Sequence, residues 1–286
     1  MSNNNVEVIK MAKKLKLNDK ELNNIITLYN NGISLRELEK IVGYSRKTLS
    51  KILKENNVII KDNKINSRKY NLNEEYFKKI NSKEKAYWLG FMAADGYITS
   101  QAKHKTQRFG ITLSIKDKEH LEHFKKCLNS TYDIKEYEGR KDNYNPNSRF
   151  CRLLMTSQKS VDYLKRLGIV ENKTMILKFP TEDQVPEKYI YDYIRGYMDG
   201  DGSIAFSNNN CTIGFTGQKD FLLKIQEKLG VKAKFTTKDN KTYQFNIGGN
   251  LQCKRVLDLI YKGSRKRTRL ERKYKKYLEL KKYIER

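Results

Sequence analysis

Two stretches, Trp88-Leu89-Gly90-Phe91-Met92-Ala93-Ala94-Asp95-Gly96 and Ile194-Arg195-Gly196-Tyr197-Met198-Asp199-Gly200-Asp201-Gly202, decide the fold of this 286-residue chain. Each is a mostly apolar run with a small residue at every fourth position: Gly90 and Ala94 in one, Gly196 and Gly200 in the other. Residues i and i+4 share a helix face, so each run predicts a helix with a stripe almost free of side chains. Two such stripes let helix backbones approach closely. An acid ends each stripe, Asp95 or Asp201, and a glycine follows. A carboxylate there faces the negative end of the helix dipole, and two at one seam repel. One copy alone reads equally well as a buried helix stopped by an Asp-Gly turn. Two copies in register do not.

Outward from these stretches, the sequence repeats itself. After Asp95, Phe109, Ile111, Leu113 and Ile115 alternate with polar residues, as a strand with one apolar face does. An amphipathic helix follows at 118–128, then strands near 132–138 and 149–156 and a helix at 160–167. After Asp201 the plan recurs: a strand pair through Phe206 and then Cys211, Ile213 and Phe215, a helix at 219–229, two strands and a helix at 251–260. Lys232, Lys234, Thr236 and Lys238 are expected on one face of the first of those late strands, a run of cations suited to phosphate. The chain is therefore read as α+β, built on a tandem αββαββα duplication of roughly a hundred residues.

Upstream, residues 17–57 read as three helices. Ser34 with Glu37 forms a capping box, Gly43 allows a sharp turn, and Ser45 caps the next helix. Leu35, Leu38 and Ile41 are expected inward on the second helix. Arg46, Lys47 and Ser50 are expected at a groove-facing surface, as in a helix-turn-helix; an ordinary three-helix cap is the alternative. The boundaries expected are 1–60 for this small all-α domain, 61–74 for a basic linker, 75–180 for the first repeat and 181–286 for the second. The tail from 262 to 286 is read as a basic helix, with Leu270, Tyr274, Tyr277 and Leu278 available for packing.

Composition bounds the partner. Lys+Arg total 59 against 33 Asp+Glu, a net charge of +26, and an excess that large points to a polyanion. No apolar run is long enough for a membrane span and the first residues lack the apolar core of a signal peptide, so nucleic acid is favoured over a membrane. The four cysteines, Cys127, Cys151, Cys211 and Cys253, include no C-x-x-C pair. With three histidines in the chain, a structural zinc site is not expected. His120 and His123 are read as solvated helix residues, and the location as intracellular.

The nine-residue pattern resembles the signature of the LAGLIDADG homing endonucleases, in the two-motif, single-chain form. Residues 17–57 resemble the helix-turn-helix domains of site-specific recombinases and of free-standing homing endonucleases. The first resemblance implies a saddle of two antiparallel sheets lying in the major groove of double-stranded DNA, a monomer, and phosphodiester hydrolysis on both strands. It implies Mg2+, or Mn2+, held by the eighth residue of each motif, Asp95 and Asp201, with the carbonyls of Ala94 and Gly200. Oxygen ligands of that kind suit a hard cation that keeps several waters. It further implies a basic residue near each scissile phosphate, matched here by Lys173 and Lys273, to polarise water or stabilise the transition state. Polar residues that orient water match Asp117 and Gln218. Asp199, opposite Ala93 in the first motif, is not counted as catalytic. Competing readings keep the scaffold without the cutting, as a DNA-binding regulator or an RNA maturase. An intein is disfavoured, because the chain shows no Cys or Ser start and no His-Asn end, and a plain helix-turn-helix repressor leaves the duplication unexplained.

Overall fold

In the computed structural model, which describes residues 17–58, 60, 70–101, 104–139, 148–237 and 239–286, the chain divides into two units, Met1–Lys69 and Tyr70–Arg286. The first holds α1 (Asp19–Asn30), α2 (Leu35–Val42) and α3 (Arg46–Glu55). Asn18 and Ser34 close capping boxes with Glu21 and Glu37, Ser45 caps α3, and Gly43 ends α2 with φ +75°. Their core is Ile25, Tyr29, Leu35, Leu38, Leu49 and Leu53. Ile41, expected inward, is 58% exposed. At 100° per residue, Leu35, Leu38 and Val42 share one stripe, and Ile41 falls well outside it.

The second unit carries the duplication. Its first repeat runs α4 (Lys83–Ala94), β1 (Gly96–Gln101), β2 (His104–Ser114), α5 (Lys118–Cys127), β3 (Ile134–Glu138), β4 (Arg149–Thr156) and α6 (Gln158–Arg166). Its second runs α7 (Ile190–Asp201), β5 (Gly202–Ser207), β6 (Asn210–Gly217), α8 (Lys219–Leu229), β7 (Phe235–Thr237), β8 (Tyr243–Gly248) and α9 (Asn250–Tyr261), followed by α10 (Glu271–Ile284). Each repeat forms a four-stranded antiparallel sheet of the same topology, β1-β2-β4-β3 and β5-β6-β8-β7. The alternation read from the sequence sets the faces. Phe109, Ile111, Cys151, Leu153, Ile213, Phe215, Phe245 and Ile247 point into one shared core, and among the described residues no helix packs on the opposite face of either sheet.

Three expectations need correction. Strand β7 begins only at Phe235, so Lys232 and Lys234 precede it in an irregular, exposed segment, and Lys238 lies outside the described residues. There the Gln226 amide takes the place of a strand partner, donating to the Ala233 carbonyl and accepting from its N–H. His120 is 5% exposed rather than solvated, packed against Trp88 and Phe91. In α10 the buried stripe is Lys273, Tyr277 and Leu280, and Leu278, one position off it, is exposed. Of the segment read as a linker, 61–69 lies outside the described residues. Its end is tied to the first repeat: the Asn71 N–H donates to Thr131 Oγ1, the Thr131 N–H donates to the Asn71 carbonyl, and Tyr70 stacks on Tyr132.

Candidate active site

Helices α4 and α7 meet along their glycine stripes. A Cβ on Gly90 would stand 2.0 Å from the Tyr193 carbonyl oxygen, and one on Gly196 would stand 2.0 Å from that of Tyr87. The contact is reciprocal: each glycine admits the backbone of the other helix, so the two axes are related by an approximate two-fold. Further along, a Cβ on Gly200 would lie 2.3 Å from Ala94 Cβ and 3.2 Å from Asp95 Oδ2. Bare backbone thus brings the Asp95 carboxylate against the end of α7, where Asp201 is the last helical residue.

Crowding two acids at two helix C-termini has the expected cost. Burial pushes the Asp95 carboxyl up to about 6, and the Asp201 charge adds to this while Lys273, Lys173 and Arg272 oppose it. Burial raises Asp201 as well, against Lys173 and Lys273. Asp201 is the more exposed of the pair, so Asp95 is taken as the more perturbed.

Two lysines offset the charge, and they too are related by the two-fold. Lys173 Nζ donates to the carbonyls of Ala94 (2.9 Å) and Gly96 (2.6 Å). Lys273 Nζ donates to those of Met198 (2.7 Å), Asp199 (2.8 Å) and Gly202 (2.6 Å), with a longer contact to Gly200 (3.3 Å). A cation on the unsatisfied carbonyls of a helix end meets both hydrogen-bonding demand and dipole. Both ammonium groups are buried, which lowers their basicity; Lys273 falls to about 8. The carbonyls of Ala94 and Gly200, expected as metal ligands, therefore each already accept from a lysine.

Asp199 explains how Lys273 is placed. It is 1% exposed; its carboxylate accepts from Tyr87 Oη (2.8 Å), Tyr261 Oη (3.2 Å) and the Leu270 N–H (2.8 Å). Leu270 begins the turn into α10, so Asp199 fixes the segment that delivers Lys273. Arg195, also buried, adds bonds to the Thr268 and Ile260 carbonyls and an ion pair with Asp192 at 2.7 Å. Tyr87 Oη donates to Asp199, so at its 2.8 Å contact with His120 it accepts from Nε2–H. Burial drives His120 down to about 3, leaving that ring neutral.

Asp117 and Gln218, the matched residues before α5 and α8, each reach across to the other repeat. Asp117 holds Arg272 Nε at 3.1 and 3.2 Å, while Gln218 Nε2 lies 3.6 Å from Met175 Sδ and 3.0 Å from the Lys241 carbonyl. The seam thus gathers Asp95, Asp201, Lys173 and Lys273, with Asp117 and Gln218 at its two flanks. Arg46, Lys47 and Ser50 belong to the first unit; Lys47 is exposed, Ser50 is half-buried and Arg46 pairs with Glu39 at 3.1 Å. Sequence reasoning passed over Arg272 and the Tyr87–Asp199–Tyr261 network. The one available signal was an acid, Asp199, inside an otherwise apolar helix.

No group of three or more His, Cys, Asp or Glu side chains suited to a metal occurs among the described residues, and no helix there is long and apolar enough to cross a membrane. Residues 82–168 match the LAGLIDADG-like domain family, and residues 13–56 match the helix-turn-helix domain of resolvase. No curated protein matches the chain in sequence. Among solved structures it is similar to the homing endonuclease I-WcaI bound to its DNA recognition sequence, at 18% identity over 70% of this chain and 90% of that one, TM-score 0.50. It is also similar to the LAGLIDADG homing endonuclease I-LtrWI bound to target DNA, at 13% identity over 75% and 92%, TM-score 0.46. A third, I-SmaMI bound to uncleaved DNA in the presence of calcium ions, aligns at 12% identity over 70% and 89%, TM-score 0.45. Residues 82–168 are therefore similar to a LAGLIDADG-like domain, and the duplicated fold of the second unit is similar to that of the homing endonuclease I-WcaI.

Proposed function

We propose that the chain is a site-specific, divalent-metal-dependent DNA endonuclease that hydrolyses both strands of a long asymmetric target, acting as a monomer. The observation that carries this reading is the pair of acids at one glycine seam, each beside a buried lysine. The donor set fits a hard cation: two carboxylates whose ionised forms burial disfavours and the nearby lysines only partly offset, backbone carbonyls alongside, and space that a Cβ at Gly200 would fill. Two carboxylates are few, which suits magnesium or manganese, since water and phosphate oxygens supply the other ligands. Asp95 and Asp201 would hold the cation, which when bound activates water and neutralises the leaving oxygen. Lys173 and Lys273 fix the carbonyls around the acids and place positive charge where negative charge develops. Gln218 and Asp117 are proposed to orient water or the groups that contact it.

Recognition is assigned to the open sheet faces, which carry Arg108, Thr112, Lys135 and Arg152 in the first repeat and Ser203, Thr212, Gln244 and Asn246 in the second. The helix-turn-helix unit, through Arg46, Lys47 and Ser50, is proposed to add DNA contacts, as Lys232 and Lys234 are. Cleavage of a randomised target library in plasmid form, with magnesium and then with calcium, tests the reading beside Asp201→Asn. Magnesium-dependent double-strand cuts at one long site, absent in the variant, are expected. Tight, salt-sensitive binding without cutting in either protein would replace the reading with that of a regulator or maturase.

A further inference from the structure

The two sides of the seam differ where the repeats correspond through their lysines. Lys173 and Lys273 make the same contacts at the ends of α4 and α7, so their sequence neighbours correspond. Arg272 stands where the first repeat has Asn172, and Lys275 where it has Met175. Their partners differ in step: Arg272 faces Asp117, and Met175 faces Gln218. On the Arg272 side a cavity of about 260 Å³ is lined by Lys116, Lys266, Arg269 and Lys275 together with Asp117 and His120. On the other side the corresponding cavity, about 390 Å³, is lined by Met175, Ile176, Leu177 and Phe179 as well as Gln218 and lysines. Met175 and Ile176 there are 48% and 61% exposed.

We propose that the two strands are cut in a fixed order, and that Arg272 serves the strand cut first. The inference rests on the endonuclease reading above. Each cut is the same hydrolysis: a water oxygen bonds to phosphorus, one ester P–O bond breaks, and the departing sugar oxygen gains a proton, leaving a phosphomonoester and an alcohol. Negative charge on the phosphoryl oxygens and the leaving oxygen rises on the way. Arg272 is suited to meet it. Asp117 holds the guanidinium by Nε, so its terminal nitrogens are oriented in advance, and the side chain is 57% exposed. A planar fork of donors matches a phosphate in a way that a thioether or a surface amide does not. It also stands near enough to Asp95 for its charge to bear on that carboxyl. The opposite phosphate meets Asn172 and Met175, with Lys173 as its matched cation. The order of cutting therefore follows from divergence at two positions of an otherwise two-fold centre.

The test follows supercoiled plasmid carrying the selected target through nicked circle to linear product, with end-labelled duplexes to tell the strands apart. Wild type is expected to accumulate nicked circle broken in one strand only. Arg272→Asn, which installs the residue of the other side, is expected to slow that nick roughly tenfold or more, as loss of one charge-stabilising donor does, and to leave the second strand nearly unchanged. The pair Asn172→Arg with Met175→Lys is expected to speed the second cut and shrink the nicked pool. Equal cutting of both strands by wild type overturns the order alone. An Arg272→Asn protein that binds and melts normally yet slows both strands alike overturns the assignment of Arg272 to the strand cut first. Binding with no cut in either strand by wild type removes the endonuclease reading, and the order with it.

Discussion

Replacing Gly196 by alanine separates two opposed effects by sign. In an open helix the change stabilises by about 0.8–1 kcal/mol through propensity. At the seam the new Cβ would sit 2.0 Å from the Tyr87 carbonyl oxygen and 2.8 Å from Phe91 N, where ordinary contact begins at 3.4 Å. Those neighbours are helix backbone and cannot rotate aside, so the helices must part by more than an ångström. Overpacking of this kind costs about 1–3 kcal/mol and occasionally more. Because the clash involves main chain on both sides, the upper end applies and outweighs propensity. We expect Gly196→Ala to lose roughly 2 kcal/mol net, read as a lower urea midpoint, and to lose cleavage more than DNA binding, since the acids ride on the displaced helix ends. Gly248→Ala, with open space around it, is the control and should stay within about 0.5 kcal/mol of wild type. Adding Gly90→Ala to Gly196→Ala should cost less than the sum, because one separation relieves both contacts. A Gly196→Ala protein as stable as wild type or more so would show that the seam is not packed backbone to backbone.

Three further outcomes follow from the site. The Asp95 carboxyl is raised from 3.8 to about 6, so the folded state holds its proton more tightly than the unfolded chain. Stability then falls as pH rises between those values, by at most about 3 kcal/mol. Asp95→Asn should therefore be the more stable protein at pH 7, with the gap closing below pH 4, and magnesium or calcium should raise the melting temperature of wild type but not of the variant. Lys273→Met removes a buried cation from its carbonyl acceptors and should cost roughly 1–3 kcal/mol by urea titration, whereas unchanged stability would place its ammonium in solvent instead. On the sheets, Arg152→Ala should relax one base position, guanine for preference, at about 1–3 kcal/mol. Gln244→Ala should relax one adenine position, as read by binding selection on a randomised target.

The helices and strands of both repeats were legible because their signals are local and period-bound. The alternation of Phe109, Ile111 and Leu113 fixed a strand face, and the small residues of the two motifs fixed the seam. Asp95 and Asp201 could be read because they end those stripes. What could not be read lies across the chain. Arg272 finds Asp117 from 155 residues away, and no period in the sequence encodes that. Lysine is ordinarily a solvated residue, so composition gave no sign that Lys173 and Lys273 turn inward to cap helix ends. His120 sits on a helix whose polar neighbours promise solvent; the aromatic cluster of Trp88 and Phe91 that buries it comes from another element. Lys232 and Lys234 followed a true alternation into a segment where the Gln226 amide had already taken the backbone's hydrogen bonds.

The seam between α4 and α7 has a consequence for assembling new proteins from old halves. Where glycine meets a carbonyl oxygen, one helix reads only the main chain of the other, and any partner with small residues at the same spacing presents the same surface. Such a joint is indifferent to who supplies each half. Beside it lies a buried lock of side chains, in which Tyr87 of one repeat meets Asp199 of the other. A donor half that brings alanine in place of Asp199 would leave the Tyr87 hydroxyl with His120 alone and free the turn at Leu270. Compatibility between exchanged halves is thus set by one tyrosine–carboxylate pair more than by the length of the joint itself.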